Sequence, residues 1–238
     1  MREEVIRTTM LIGEENINRL KNAKVAVFGI GGVGSYVVEA LARSFIGSFI
    51  LVDDDVVSLS NINRQLIATH DTVGMKKVLI AKERIESINP DAKVEFSDEM
   101  YLPGSSLDFL DDVDYIVDAI DTVSSKISLI VESKKRNIKI ISCMGTGNKM
   151  NPTQLEVNDI FKTSTCPLCR VMRRELKARN IKNLKVVYSK EQPIKPLSIN
   201  ENSKSKHVKR KTVGSTSFVP SVAGLIIASE VVKDLINL

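Results

Sequence analysis

Cysteine and long hydrophobic runs are what this 238-residue sequence has least of. Three cysteines are too few for a disulfide framework and argue for free thiols. The longest apolar run, near Val222–Val232, is cut by Glu230 and Lys233 well short of a bilayer span. The opening MREEVIRTTMLIGEE alternates charge with apolar groups and offers no signal-peptide core. These absences argue against a transmembrane protein and a disulfide-stapled secreted scaffold, and a cytoplasmic chain is the expectation. What remains, 43% apolar and 26% charged, is the composition of a soluble globular protein long enough to bury a real core.

The net charge of +5 conceals a division. Residues 1–150 hold 18 Lys+Arg against 22 Asp+Glu, a balance of −4, whereas residues 151–238 hold 16 against 7, a balance of +9. A basic C-terminal part suits an anionic macromolecule better than a small acid, because phosphate contacts accumulate along a basic face.

Short apolar runs alternate with helical patterns. Val25–Phe28, Phe49–Val52, Val94–Phe96, Tyr115–Val117 and Ile138–Ser142 read as strands. Between them Val33–Ser44, Val73–Ile88 and Ser124–Arg136 have helical spacing, with Val78, Ala81, Ile85 and Ile88 on one face. This rhythm predicts an α/β fold: a Rossmann-like, mostly parallel sheet with helices on both faces. After about residue 150 the rhythm changes, so the expected division is a core over 1–150 and a smaller basic extension over 151–238 packed on it. The extension should contain strands at Gln154–Val157 and Leu184–Tyr188, a basic helix over Pro167–Ala178 and a polar, mobile loop over 193–214. A final apolar helix should open at Pro220 and run to about Leu235.

The stretch KVAVFGIGGVGS runs the first strand into Gly29, Gly31, Gly32 and Gly34 and then into a helix. Gly29 permits the tight turn, Gly31 lets backbone approach phosphate, and Gly34 lets helix pack on strand. Asp53 closes the second strand, placed to accept from ribose hydroxyls. This fingerprint alone serves a nicotinamide or flavin dinucleotide as well as ATP. Its companions bear on the choice. Asp55, Asn61, Arg64 and Gln65 follow in DDDVVSLSNINRQL, Lys76 and Lys77 open the next helix, and YIVDAIDT ends in Asp118 and Asp121. Arg64 and Lys77 can neutralise developing phosphate charge and Asp121 can hold magnesium, which suits a nucleoside triphosphate. Hydride transfer needs none of this charge.

In this order and spacing, GIGGVGS, LVDDDVVSLSNINRQ, VGMKK and DAIDT resemble the ubiquitin-activating-enzyme-like adenylating family over residues 5–160. The resemblance implies ATP bound by the glycine loop and Asp53, with Asn61, Arg64 and Lys77 at the phosphates and Asp121 on the metal. It also implies a homodimer, in which Arg7 of one subunit reaches the other's phosphates.

Sulfur-carrier activators of this family carry two CxxC pairs for zinc. This chain has one pair, Cys166 and Cys169, and its His70 and His207 lack motif spacing, so no structural zinc is expected. Cys143, ending an apolar strand, reads as core packing. Over the whole chain, the CPLCRVMRREL helix, the LKVVYSKE strand and the SFVPSVAGLIIASEVVKDL ending are similar to the tRNA-acting branch. That branch uses ATP to activate the carboxylate of threonylcarbamoyladenosine beside the anticodon and closes it to a cyclic form with loss of water. Some relatives have a cysteine before the last helix where this chain has Ser215, Thr216 and Ser217. On this reading Arg170, Arg173, Arg174, Lys177 and Arg179, with Lys204, Lys206, Lys209, Arg210 and Lys211, touch tRNA phosphates. With 5% aromatic residues, extensive base stacking is not expected. The alternatives are adenylation of a ubiquitin-like sulfur carrier, a dinucleotide-dependent oxidoreductase and a tRNA-binding module without turnover. A sulfur-transfer protein is a further partner left open by the resemblance.

Overall fold

A computed structural model describes residues 3–197 and 213–238. Its seven strands are β1 (Lys24–Phe28), β2 (Ser48–Val52), β3 (Lys93–Ser97), β4 (Tyr115–Asp118), β5 (Lys139–Cys143), β6 (Leu155–Asp159) and β7 (Lys185–Ser189). They form one sheet in the order β3-β2-β1-β4-β5-β7-β6. All neighbours pair in parallel except β6, which runs antiparallel to β7 at the edge. The sheet therefore continues across residue 150, and the C-terminal part supplies its last two strands.

The helices are α1 (Ile6–Ile12), α2 (Glu14–Asn22), α3 (Gly34–Arg43), α4 (Lys77–Ile88), α5 (Val123–Lys135), α6 (Pro167–Lys177) and α7 (Phe218–Ile236). Period-two alternation along the central strands sorts the core into two layers. Val25 and Val27 of β1 face α3, α4 and α7 through Leu41, Val78, Ile85, Ile227 and Val231. Ala26 and Phe28 face α5 and α6 through Leu129, Ile130, Met172 and Leu176. Covering both faces is what allows the central strands to be apolar throughout. The α/β fold with a mostly parallel sheet and a final helix is thus the one read from the sequence.

Two boundaries differ from expectation for local reasons, and two helices are additional. The helix expected from Val73 begins at Lys77, because Gly74 takes φ +89° and Lys76 pairs with Val56 in an isolated bridge. The last helix starts at Phe218, with Pro220 in its first turn, where a missing N–H costs no intrahelical bond. Two helices were not anticipated at the N-terminus, α1 and α2, which meet at Gly13 with φ +80°. Ile17 and Leu20, one turn apart, bury α2. Of the loop expected over 193–214, residues 198–212 lie outside the described residues, and with them His207, Lys204, Lys206, Lys209, Arg210 and Lys211. Among the described residues no helix is long and apolar enough to cross a membrane.

Candidate active site

Ligands of doubly wound sheets bind beyond the carboxyl ends of the strands, where the strand order reverses. Here that point lies between β1 and β4, and a cleft of about 330 Å³ opens there. Gly29, Gly31, Gly32, Asp53, Asp55, Asn61, Arg64, Gln65, Lys77 and Asp121 line it, whereas Gly34, Arg7, Lys76 and Asp118 do not.

The turn after β1 is shaped by two close approaches. Gly29 has φ +88°, and a Cβ there would lie 2.6 Å from the Ala119 carbonyl oxygen. At Gly34 a Cβ would overlap the Gly29 carbonyl oxygen, so glycine lets the first turn of α3 sit on the end of β1. Gly34 therefore serves packing, whereas Gly31 and Gly32 face the cleft. Ser35 fastens this turn to the next by accepting from Leu66 N–H at 3.1 Å. The N-terminus of α3 thus presents its free amide groups toward the cleft, a favourable setting for anions.

Asp53 follows β2. Its Oδ2 accepts from Ile30 N–H at 2.6 Å and its Oδ1 from Asp55 N–H at 3.0 Å. Burial raises its carboxyl above the ordinary range, although Lys77 and these two amides oppose the shift. Lys77, itself buried, donates to Asp55 Oδ2 at 2.5 Å and stands 3.7 Å from Asp53 Oδ1. Arg64 is different: its Nη1 donates to Ser60 O and Asn63 Oδ1, at 2.8 and 2.9 Å, both neutral acceptors. Asn61 Oδ1 accepts from Ser58 N–H at 3.1 Å and so caps the short turn that carries Arg64. Asp121 is exposed at the other lip, where Oδ1 accepts from the Thr122 hydroxyl at 3.2 Å.

Two features fit a nucleotide and its metal. Gln65 lines the cleft and is buried, yet its Oε1 has no partner among the described residues. Such an atom is costly unless a ligand donor meets it. The acids Asp53, Asp54, Asp55 and Asp121 supply oxygen ligands of the kind magnesium takes. With Arg64 and Lys77 they leave the cleft at four carboxylates against two cations, a balance of −2 when all are ionised.

Beneath the lip lies a group that reading the sequence missed. Lys126 of α5 and Asp118 at the end of β4 are 3.0 Å apart with both side chains 0% exposed. Lys126 also donates to the carbonyl oxygens of Ile120 at 3.1 Å and Cys143 at 2.8 Å, tying the end of β4 to the end of β5. The signal was present: Lys126 falls on the same helical stripe as Leu129, Ile130 and Ser133, all buried. Thr146 and Ser215 also line the cleft and were not singled out for it.

All three thiols are buried. Burial pushes the Cys143 thiol up to about 12. Cys166 and Cys169 adjoin at the start of α6. The Cys169 thiol donates to Cys166, which backbone N–H groups also serve, so Cys166 is held below the ordinary thiol range and Cys169 is raised. Among the described residues no third metal-binding side chain joins them.

On α6 the residues Cys169, Met172 and Leu176 turn inward. Arg170, Arg174 and Lys177 are exposed. Arg173, expected with them, instead donates to the Thr163 carbonyl at 3.0 Å and to its hydroxyl.

The ThiF family model matches residues 5–238. The chain is 43% identical over 246 residues to the tRNA threonylcarbamoyladenosine dehydratase of Bacillus subtilis, covering 100% of this chain and 96% of that one. It superimposes on the crystal structure of Escherichia coli tRNA N6-threonylcarbamoyladenosine dehydratase in complex with ATP with a TM-score of 0.89. That likeness is at 31% identity and covers 99% and 95% of the two chains. A sulfur carrier protein adenylyltransferase of Thermus thermophilus is 35% identical over 115 residues, 48% of this chain and 42% of that one.

Proposed function

The chain belongs to the ThiF family, and from that premise we propose that it is an ATP-dependent tRNA threonylcarbamoyladenosine dehydratase. It adenylates the substrate carboxylate beside the anticodon, and the activated carboxyl closes to the cyclic form with loss of one water. The likeness over the full chain to an enzyme of that name carries this reading. Likeness to the sulfur-carrier enzyme extends over only half the chain.

ATP is a substrate of this reaction. In our reading Gly29, Gly31 and Gly32 admit the phosphates to the N-terminus of α3, and Asp53 holds the ribose. Arg64, with no carboxylate partner among the described residues, and Lys77 stabilise charge on the phosphates as the carboxylate attacks and pyrophosphate leaves. Asn61 and Gln65 offer amide groups to the same phosphates. Asp121 would hold magnesium, which would screen phosphate charge there.

The charge balance supports a second subunit. A cleft at −2 repels a triphosphate unless cations are added, and the metal supplies only part. Arg7 is exposed on α1 and does not line its own cleft. On the same short helix Met10 and Leu11 are 79% and 86% exposed, apolar surface suited to burial against a second copy. A homodimer in which Arg7 enters the partner's cleft accounts for both observations. We place this dimer in the cytoplasm with tRNA as its substrate.

The test is mass analysis of nucleosides after incubation of threonylcarbamoyladenosine-bearing tRNA with the protein, ATP and magnesium. Loss of one water, with release of AMP and pyrophosphate, is expected. Arg64→Ala and Asp121→Asn should each lower the rate by about 10²–10³-fold with the melting temperature unchanged. Undiminished turnover in either variant would sink the site assignment. AMP release that requires a ubiquitin-like carrier instead of tRNA would transfer the chain to the sulfur-carrier reading.

A further inference from the structure

A second depression, of about 540 Å³, lies between α5 and α6 on the opposite side of a thin wall from the cleft. Met100, Tyr101, Thr122 and Ser125 face the cleft, whereas Pro103, Val123, Ser124 and Ser128, their close chain neighbours, face the groove. The wall is held by Tyr101 Oη donating to Ser128 Oγ at 3.0 Å and by Ser125 Oγ donating to Tyr101 O at 2.9 Å. The same two short segments, 100–103 and 122–128, therefore border both the cleft and the groove.

The chemistry of the groove is specific in kind. Its floor is aliphatic, with Val123, Ile127 and Val131 of α5 one turn apart, and Val171 of α6 is 37% exposed at its edge. Its far wall is guanidinium. Arg174 and Arg179 both bond to Glu175, the one acid lining the groove among the described residues, at 3.0 Å each, which leaves the pair of arginines with one net positive charge. Arg170 and Lys177 flank it on the exposed side of α6 and have no side-chain partner among the described residues. Guanidinium planes are surfaces on which the unstacked bases of single-stranded RNA lie and by which phosphates are neutralised, and here an apolar floor adjoins them.

We propose that the α5–α6 groove seats the anticodon-loop nucleotides adjoining the modified one, a base on the Val123–Ile127–Val131 floor and its phosphate at Arg174. The inference rests on tRNA being the substrate, and it assigns to this groove the contact that delivers the target nucleotide to the cleft. An acidic protein segment is the competing occupant, because it would meet the same cations.

The test measures binding of an anticodon stem–loop RNA, separately from turnover, to the full chain and to Val171→Asp and Arg174→Glu. Each variant should weaken RNA binding about tenfold, a typical loss for one contact of this kind. Arg174→Glu should also flatten the dependence of log K on log salt by about one unit. Arg174→Lys should restore the salt dependence but not the full affinity, because a lysine keeps the charge and loses the planar face. ATP affinity should be unchanged throughout. A 4-thiouridine next to the target position should cross-link to peptides from α5 or α6. Wild-type affinity in both Val171→Asp and Arg174→Glu, or cross-links confined to other elements, would overturn the proposal whether or not the protein dehydrates tRNA. Groove-dependent RNA binding without dehydration would instead retain the groove and overturn the activity. Poly-glutamate that competes at the groove where the RNA does not would reassign it to an acidic protein partner.

Discussion

Replacement of Lys126 by methionine tests the buried ion pair beneath the cleft. Methionine fills most of the space of the lysine stem, so the perturbation is loss of the ammonium and not a cavity. That ammonium serves Asp118 at 3.0 Å and the carbonyl oxygens of Ile120 and Cys143 at 3.1 and 2.8 Å, with both charged side chains fully buried. Asp118 would keep the Ser142 hydroxyl and the Ile120 amide as donors but no opposite charge. Removing one partner of such a pair costs about 3–5 kcal/mol, because an uncompensated charge is left inside. For a chain of this length each kcal/mol lowers Tm by about 2–4 °C, so a fall of about 6–20 °C is expected. The double variant Asp118→Asn/Lys126→Met removes both charges, and its amide oxygen can still accept from Ile120 N–H. It should recover most of the loss, since a buried pair replaced as a unit is often close to neutral. Urea unfolding of the wild type, the single and the double variant measures all three. A single variant that loses less than about 1 kcal/mol, or a double variant as unstable as the single, would refute the electrostatic account.

Two further comparisons separate packing from binding and fix one pH dependence. Gly34→Ala should destabilise the fold by about 1–3 kcal/mol, since its Cβ meets fixed backbone at Gly29. Gly31→Ala should melt like the wild type, because the nearest atom to its Cβ is Gln65 Nε2 at 3.8 Å, yet bind ATP more weakly. Thermal melts and ATP titrations read both, and equal Tm losses would contradict the division of roles. Glu39 is held below the ordinary carboxylate range: burial opposes this, but bonds from Arg84 at 2.8 and 2.9 Å and from Arg43 prevail. A lowered folded value means its stability is present above the ordinary value of 4.5 and is lost as pH falls through the folded one. Tm measured from pH 7 downward should therefore fall less steeply in Glu39→Gln, and identical acid limbs would count against it.

How far the sequence discloses the molecule depends on whether a residue's role is local. The turn at Gly29–Gly34 was legible because its chemistry is written in consecutive residues, and so was the helix at Val78, Ala81 and Ile85, whose stripe has period 3.6. The start of that helix was misplaced because Gly74 and the Val56–Lys76 bridge act through backbone geometry that the apolar pattern does not report. Lys126 was missed for a related reason: its partners Asp118, Ile120 and Cys143 come from three segments, and a single lysine in a serine-rich helix carries no motif. Arg173 was read as a solvent-facing cation because charge alone does not reveal that Thr163 lies within its reach.

The placement of the thiols bears on how the activated carboxyl can react. A covalent relay through the enzyme needs a thiolate that the acyl group can reach. Cys143 is 6% exposed with its thiol pushed up to about 12, and so is neither ionised nor accessible at neutral pH. Cys166 is held below the ordinary thiol range by the Cys169 thiol and by backbone amides, but it is 3% exposed and its sulfur is occupied by these same groups. At the mouth of the cleft, where a relay cysteine would be useful, stands Ser215, whose hydroxyl has no adjacent base to activate it among the described residues. None of the three thiols is exposed to take the acyl group. A substrate that brings its own nitrogen, tethered a few bonds from the activated carboxyl, does not need one, because intramolecular attack has an effective molarity of about 10⁵–10⁸ M when the groups are aligned. Cyclisation with loss of water is a reaction of this class. Transfer to a separate carrier or sulfur donor is bimolecular, and with all three thiols of this chain buried the acceptor would have to bring its own nucleophile to the acyl-adenylate.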